Sequence, residues 1–165
     1  MASGAEPAGA APVDSETRAN ADDHMALRLW LRLLACTNRI EAPLRTRLRE
    51  QFSGSLPRFD LMAQLDRQPG GMKMRELSRR LMVTGGNVTG LTDRLVAEGL
   101  VDKRDDVADG RATTVQLTPE GRRQFRVMAK AHEAWVAELF NGLSPCQQAQ
   151  LFELLGRLKL SIPEA

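Results

Sequence analysis

The chain has no tyrosine, and its aromatic side chains are five Phe and two Trp, 4% of 165 residues. Strand-built cores favour aromatic and β-branched residues, so this deficit argues against a β-sandwich and for helices packed through Leu, Val and Met. Only two cysteines occur, Cys36 and Cys146, far apart and without metal-ligand spacing. Two reduced thiols are expected, rather than a disulfide framework or a zinc site. The two histidines, His24 and His132, are too few for a His-rich metal site. No apolar run approaches the ~20 residues that a membrane helix needs. The first residues lack the basic and apolar regions of a secretory leader, so a cytoplasmic location without membrane contact is expected. No G-x-S-x-G elbow and no G-x-x-x-x-G-K-[ST] loop occurs, and Gly85-Gly86 follows a helical pattern rather than a strand. With no nucleophile–base constellation, neither an enzyme nor a cofactor or metal is expected.

Charge is nearly balanced but unevenly placed. The net value is +2; residues 1–25 hold one Arg and five acids, about −4, which leaves +6 on the remainder. Residues 1–22, rich in Ala, Gly, Pro, Ser and acids, are expected to be a disordered acidic tail. The modestly basic body, 23–165, is long enough for one domain with its own core, and its charge suits contact with nucleic acid.

What the sequence does contain is helical periodicity, organised around residues 74–118. Leu77, Leu81 and Met82 form one apolar face at i, i+4 and i+5; Val88, Leu91, Leu95 and Val96 form a second at i, i+3, i+7 and i+8. Val83-Thr84-Gly85-Gly86 reads as a short break between them. Thr84 fits an N-cap, since its hydroxyl can accept a first-turn N–H, and Gly99 fits a left-handed helix stop. The period then changes. Residues 100–104 and 113–117 read as strands, with a polar, glycine-containing loop between. Two helices joined by a tight turn and followed by a hairpin make a winged helix-turn-helix. In such a unit the second helix fits the major groove, and the hairpin reaches the backbone and minor groove.

The ordered run E-L-S-x-x-L, then N-V-T-x-x-x-D-R-L-x-x-x-G-L-V, then D-G-R-x-x-x-V-x-L-T-x-x-G resembles the MarR family of bacterial transcription regulators. It includes Asp93-Arg94 in the second helix, Asp109 and Arg111 in the wing, and Leu117-Thr118 entering the next helix. The resemblance implies a mainly α fold: a winged helix-turn-helix lobe flanked by N- and C-terminal dimerisation helices. Some relatives carry an acidic residue where Thr84 stands, so a wing-to-helix ion pair through that position is absent here. Some peroxide-sensing relatives use a first-helix cysteine supported by tyrosines, which counts against a redox role for Cys36.

Candidate DNA contacts follow from position and chemistry. Asn87 and Thr89 open the recognition helix; Asn pairs bidentately with adenine and the Thr methyl packs on thymine. Gly86 and Gly90 remove side chains where backbone can approach DNA, although an alternative for Gly90 is close helix packing. Thr84 stands at the turn. Arg94 reaches phosphate or base, unless it pairs with a carboxylate. Arg79 and Arg80 are backbone contacts from the supporting helix. Arg111 at the wing tip suits the electronegative minor groove, with Asp109 holding the loop.

The flanking segments read as helices. Residues 23–56 and 119–162 are assigned to dimerisation and 57–118 to the winged lobe. Trp30, Leu33, Leu34, Thr37, Ile40, Leu44 and Leu48 make one stripe, expected to be buried, with a kink or break at Pro43. Pro57 opens the next helix, whose apolar side is Phe59, Met62, Ala63 and Leu65. Met72-Lys73 reads as a short third strand. Thr118-Pro119-Glu120 starts a long helix with Phe125, Met128, His132, Trp135, Val136 and Leu139 on one side, and Ser144-Pro145 starts a last one with a Leu stripe. This is more apolar surface than the small lobe can cover, so burial against a second copy is expected.

The expected function is a homodimeric, ligand-released repressor of a pseudo-palindromic double-stranded operator. The phrase M-V-T-G-G-N-V-T-G-L-T-D-R-L resembles members responding to hydroxycinnamates or their CoA thioesters. Arg28, Arg32 and Arg39 form a basic stripe suited to an anionic effector, an aromatic carboxylate or its CoA thioester, with Phe59, Met62 and His132 lining an apolar cleft. The alternatives are a redox-sensing regulator acting through Cys36 and a non-specific architectural DNA-binding protein.

Overall fold

The computed structural model describes residues 25–81, 85–105 and 113–163. It is mainly α, with elements in the order α1 (Met25–Phe52), α2 (Leu56–Asp66), β1 (Met72–Lys73), α3 (Met74–Arg80), α4 (Gly85–Ala97), β2 (Val101–Asp105), β3 (Thr113–Leu117), α5 (Pro119–Leu139) and α6 (Pro145–Ser161). The three strands form one antiparallel sheet in the order β1-β3-β2, with Val101 opposite Leu117 and Met72 opposite Val115. The short third strand expected at Met72-Lys73 is therefore present. β2 starts one residue later than expected, because Leu100 is used to close the preceding helix.

Two compact units are distinguished, Met1–Pro43 and Leu44–Ala165. In the first, the described residues are helical and largely exposed. The stripe expected to be buried is not covered within one chain: Trp30 is 58% exposed, Leu34 is exposed, and only Leu44 and Leu48 of α1 are buried. Helical spacing marks an apolar face but not what lies against it. Pro43 lies inside α1 and does not interrupt it, because a proline forfeits only one backbone hydrogen bond and those on either side persist.

The second unit holds the core. Leu48, Leu61, Met62, Leu65, Leu77, Val88, Leu95, Val101 and Val115 are buried from α1, α2, α3, α4 and the sheet, and Phe125 and Met128 of α5 close it. Phe59 lies against the Phe125 ring, with centroids 5.5 Å apart. Trp135 meets Phe52 at 6.1 Å and lies under the Arg47 guanidinium, which also binds Glu138 at 2.6 Å and holds that carboxyl below its ordinary pKa.

Helix starts follow the sequence closely. The hydroxyls of Ser55, Thr118 and Ser144 accept N–H bonds from Arg58, Gly121 and Gln147, each with a proline in the first turn. Ser144 and Gln147 complete a reciprocal capping box. α6 differs from every other helix in one respect: none of its 17 residues is buried.

Candidate nucleic-acid interface

The interface is assembled by α3, α4 and the β2–β3 hairpin. α3 is anchored by Leu77, which is fully buried, and its Arg80 pairs one turn back with Glu76 at 2.6 Å. That pair occupies Arg80, whereas Arg79 is exposed and has no ion pair among the described residues. Gly85 and Gly86, read above as part of the break, belong to the first turn of α4.

α4 has two sides. Val88, Thr92 and Leu95 are fully buried, and Leu91 is half-buried. The expected face included Val96 and omitted Thr92. The structure exposes Val96, and Thr92 enters the core because its hydroxyl donates to the Val88 carbonyl at 2.8 Å, so no polar group is left unpaired. Asn87, Thr89, Gly90, Asp93 and Arg94 are exposed. A Cβ built on Gly90 meets nothing within 4 Å. The helix-packing explanation for this glycine is therefore removed. Arg94 makes no ion pair among the described residues; its neighbour Asp93 is instead paired with Lys103 of β2, which ties the helix to the wing. Lys103 was not singled out in the sequence, since nothing in a strand pattern shows which helix residue lies opposite. Thr84, Asp109 and Arg111 lie outside the described residues.

The far end of α4 is locked by one compact set of bonds. Gly99, at φ 70°, donates to Val96, and Leu100 donates back to Leu95, the paired bonds of a Schellman stop. The Thr118 hydroxyl donates to the Gly99 carbonyl at 2.8 Å and accepts from the Gly121 N–H at 2.9 Å, while the Thr118 N–H reaches Leu100 O at 3.0 Å. Gly121 is required here: a Cβ on it would overlap the Leu100 carbonyl. The L-T-x-x-G motif thus joins the end of α4, the exit of β3 and the start of α5. On the opposite side, Arg58 of α2 holds Glu98 through contacts of 2.6 and 2.8 Å.

Of the residues expected to bind an effector, Phe59, Met62 and His132 lie in the second unit. Met62 is fully buried core, and Phe59 is stacked on the His132 ring at 4.3 Å, which fills the space expected to be open. Burial lowers the His132 pKa, favouring the neutral ring. Arg28, Arg32 and Arg39 lie on α1 in the first unit, with Arg32 and Arg39 exposed and each already engaged in an interaction. Cys36 and Cys146 are exposed thiols.

A helix pair whose second member presents an exposed polar side, flanked by a tied hairpin, defines the winged helix-turn-helix class. Residues 55–112 match the model of the MarR family. The chain is 32% identical over 120 residues to the transcriptional activatory protein BadR of Rhodopseudomonas palustris, covering 72% of this chain and 68% of BadR. It is 34% identical over 86 residues to the HTH-type transcriptional regulator YkoM of Bacillus subtilis, covering 52% and 56%. A MarR family regulator of Silicibacter pomeroyi has a similar solved structure, with TM-score 0.72, 33% identity, and coverage of 84% of this chain and 95% of that one. The aligned stretches span between about half and two thirds of the two curated relatives. The chain belongs to the MarR family.

Proposed function

We propose that the protein is a DNA-binding transcription regulator that acts as a homodimer, with α4 as the recognition helix. The observation that carries this is the division of α4: Val88, Thr92 and Leu95 are buried, while Asn87, Thr89, Gly90 and Arg94 are exposed. In this reading Asn87 and Thr89 meet base edges, Arg94 meets base or phosphate, and the Gly90 backbone lies close to the duplex. Arg79 and Arg80 supply phosphate contacts, Thr84, Gly86 and Arg111 are further proposed contacts, and Asp109 holds the wing loop or orients Arg111. The exposed Leu151, Leu154, Leu155 and Leu158 of α6 support burial against a second copy. Two-fold symmetry then sets two recognition helices about one DNA turn apart, ~34–36 Å, on a pseudo-palindromic operator.

The regulatory reading is a repressor released by an anionic effector, an aromatic carboxylate or its CoA thioester, in the manner of the hydroxycinnamate-responsive members. The Arg28, Arg32 and Arg39 stripe supports an anionic ligand. BadR is named as an activatory protein, so activation is the second reading of the sign. Anisotropy titration of a selected duplex against a scrambled one, with and without 4-hydroxycinnamate, tests both layers. Equal affinity for both duplexes rejects sequence-specific regulation; unchanged affinity with the acid rejects that ligand as an effector.

A further inference from the structure

Asp93 is an acid placed among the residues assigned to DNA. It follows Thr89 by one helical turn and stands between Gly90 and Arg94 on the exposed side of α4. Phosphates that attract Arg94 repel this carboxylate, so on charge alone Asp93 opposes binding. The other acid of the stretch, Glu98, is held by a cation of a different element, Arg58 of α2.

Asp93 is paired in the same way, with Lys103 of β2. β2 packs against α4. Side chains alternate along a strand, so Lys103 shares a side with Val101, which is buried, and it lies opposite Val115, also buried. Lys103 is therefore a cation on the core side of β2, its side chain 29% exposed, and Asp93 is the carboxylate that α4 offers it. Arg104 falls on the other side of the strand, where it is exposed and has no ion pair among the described residues. Two neighbouring cations of the wing thus differ: one is tied to α4 and one is open.

We propose that Asp93 is a positioning residue: through Lys103 it holds β2 at a fixed place on α4, so that helix and wing present their contacts to one duplex together. This role rests on the DNA-binding reading above. A wing that is already placed loses less freedom on binding, and the difference appears in the affinity. The pair itself lies at the surface, where an ion pair adds little to folding, so its effect falls on DNA affinity rather than on stability. Charge alone predicts that removing an acid from this side of α4 raises affinity. The tether predicts the opposite sign, a loss in D93N.

The test measures anisotropy on the duplex selected by the wild-type chain, at two salt concentrations, for D93N, D93E, K103Q and the double variant D93N/K103Q. D93N and K103Q are each expected to weaken binding about three- to fivefold. The double variant is expected to lose no more than K103Q alone, because both changes break one interaction. D93E, which keeps the carboxylate, is expected to lose less than D93N, and the melting temperature is expected to be unchanged in all four. Equal or tighter binding by D93N overturns the role of the pair. So do additive losses with a salt slope lowered by about one in K103Q, which make Lys103 a phosphate contact. A D93N loss confined to one base pair of the site makes Asp93 a base reader instead, and a melting temperature that falls in step with affinity makes the pair merely structural. Each of these results, in a wild type that binds DNA, leaves the DNA reading standing; a wild type that binds no duplex overturns that reading and this role with it.

Discussion

α4 and α6 are both amphipathic, and they dispose of their apolar faces in opposite ways. α4 has 13 residues and buries Val88, Thr92 and Leu95 within its own chain. α6 has 17 residues and buries none, although Leu151, Leu154, Leu155 and Leu158 recur at i, i+3, i+4 and i+7. The apolar side of α4 is complete and its polar side is left open, as expected of a surface that meets polar, charged DNA. The apolar side of α6 is itself left open, as expected of a surface that meets another apolar face. The same periodicity thus leaves two different kinds of surface open, and the difference lies in which side the fold leaves uncovered.

The largest expected effect comes from breaking the frame that holds α4. Gly121→Ala places a methyl on the Leu100 carbonyl, where backbone rather than a flexible side chain must move. A loss of about 3 kcal/mol is expected in denaturant unfolding, from overpacking and from disturbance of the Thr118 bonds. A loss within the error of the measurement would contradict the account of this motif.

On the α6 side, Leu154→Asp with Leu158→Asp is expected to weaken self-association by about 2–4 kcal/mol while leaving the winged lobe folded. Sedimentation at several concentrations measures this. A wild-type chain that is monomeric throughout would remove the proposed role of α6.

Two smaller changes sharpen the α4 side. Asn87→Ala is expected to cost about 1–3 kcal/mol on the preferred duplex and little on a scrambled one, whereas Arg79→Ala weakens both about equally. Equal losses on both duplexes for Asn87→Ala would reject base reading. Gly90→Ala separates stability from function: with open space at its Cβ, the alanine should stabilise α4 by up to ~1 kcal/mol. It should nonetheless reduce DNA affinity if the backbone approaches the duplex there. Raised stability with unaltered affinity would assign Gly90 no part in binding.

The smallest effect concerns His132, whose pKa is lowered from 6.5 by burial. The unfolded chain therefore takes up this proton at a higher pH than the folded one. The contribution to stability is fully present above the unfolded value and is lost as pH falls through the folded one. Melting temperature measured across that window should fall with acidification by more in the wild type than in His132→Gln.

The ends of the elements were legible in the sequence because caps are local chemistry. Ser55, Thr118 and Ser144 lie within three residues of the N–H groups they accept, and Gly99 stops α4 by its own backbone. The family and its winged lobe were legible for a related reason, since motifs preserve order and spacing. The third strand at Met72-Lys73 was also legible, although its partner is distant in sequence; what failed was set by side-chain packing between elements. Thr92 exchanged places with Val96 because a hydroxyl bonded to its own helix can be buried. The expected cleft at Phe59 and Met62 closed because Phe125 and His132 fill it. Lys103 became a partner of Asp93 only through the approach of β2 to α4. The apolar stripe of α6 was legible from its spacing, and none of its residues is buried within one chain.

The central claim is that the open side of α4 reads a two-fold DNA sequence. The most direct measurement is selection from a random duplex pool with the wild-type chain, repeated with Asn87→Ala. The account predicts enrichment of a pseudo-palindrome with half-sites about one helical turn apart, ~34–36 Å, degraded in the variant at a defined base pair of each half. A pool that remains random at affinities equal to those for scrambled DNA would contradict it.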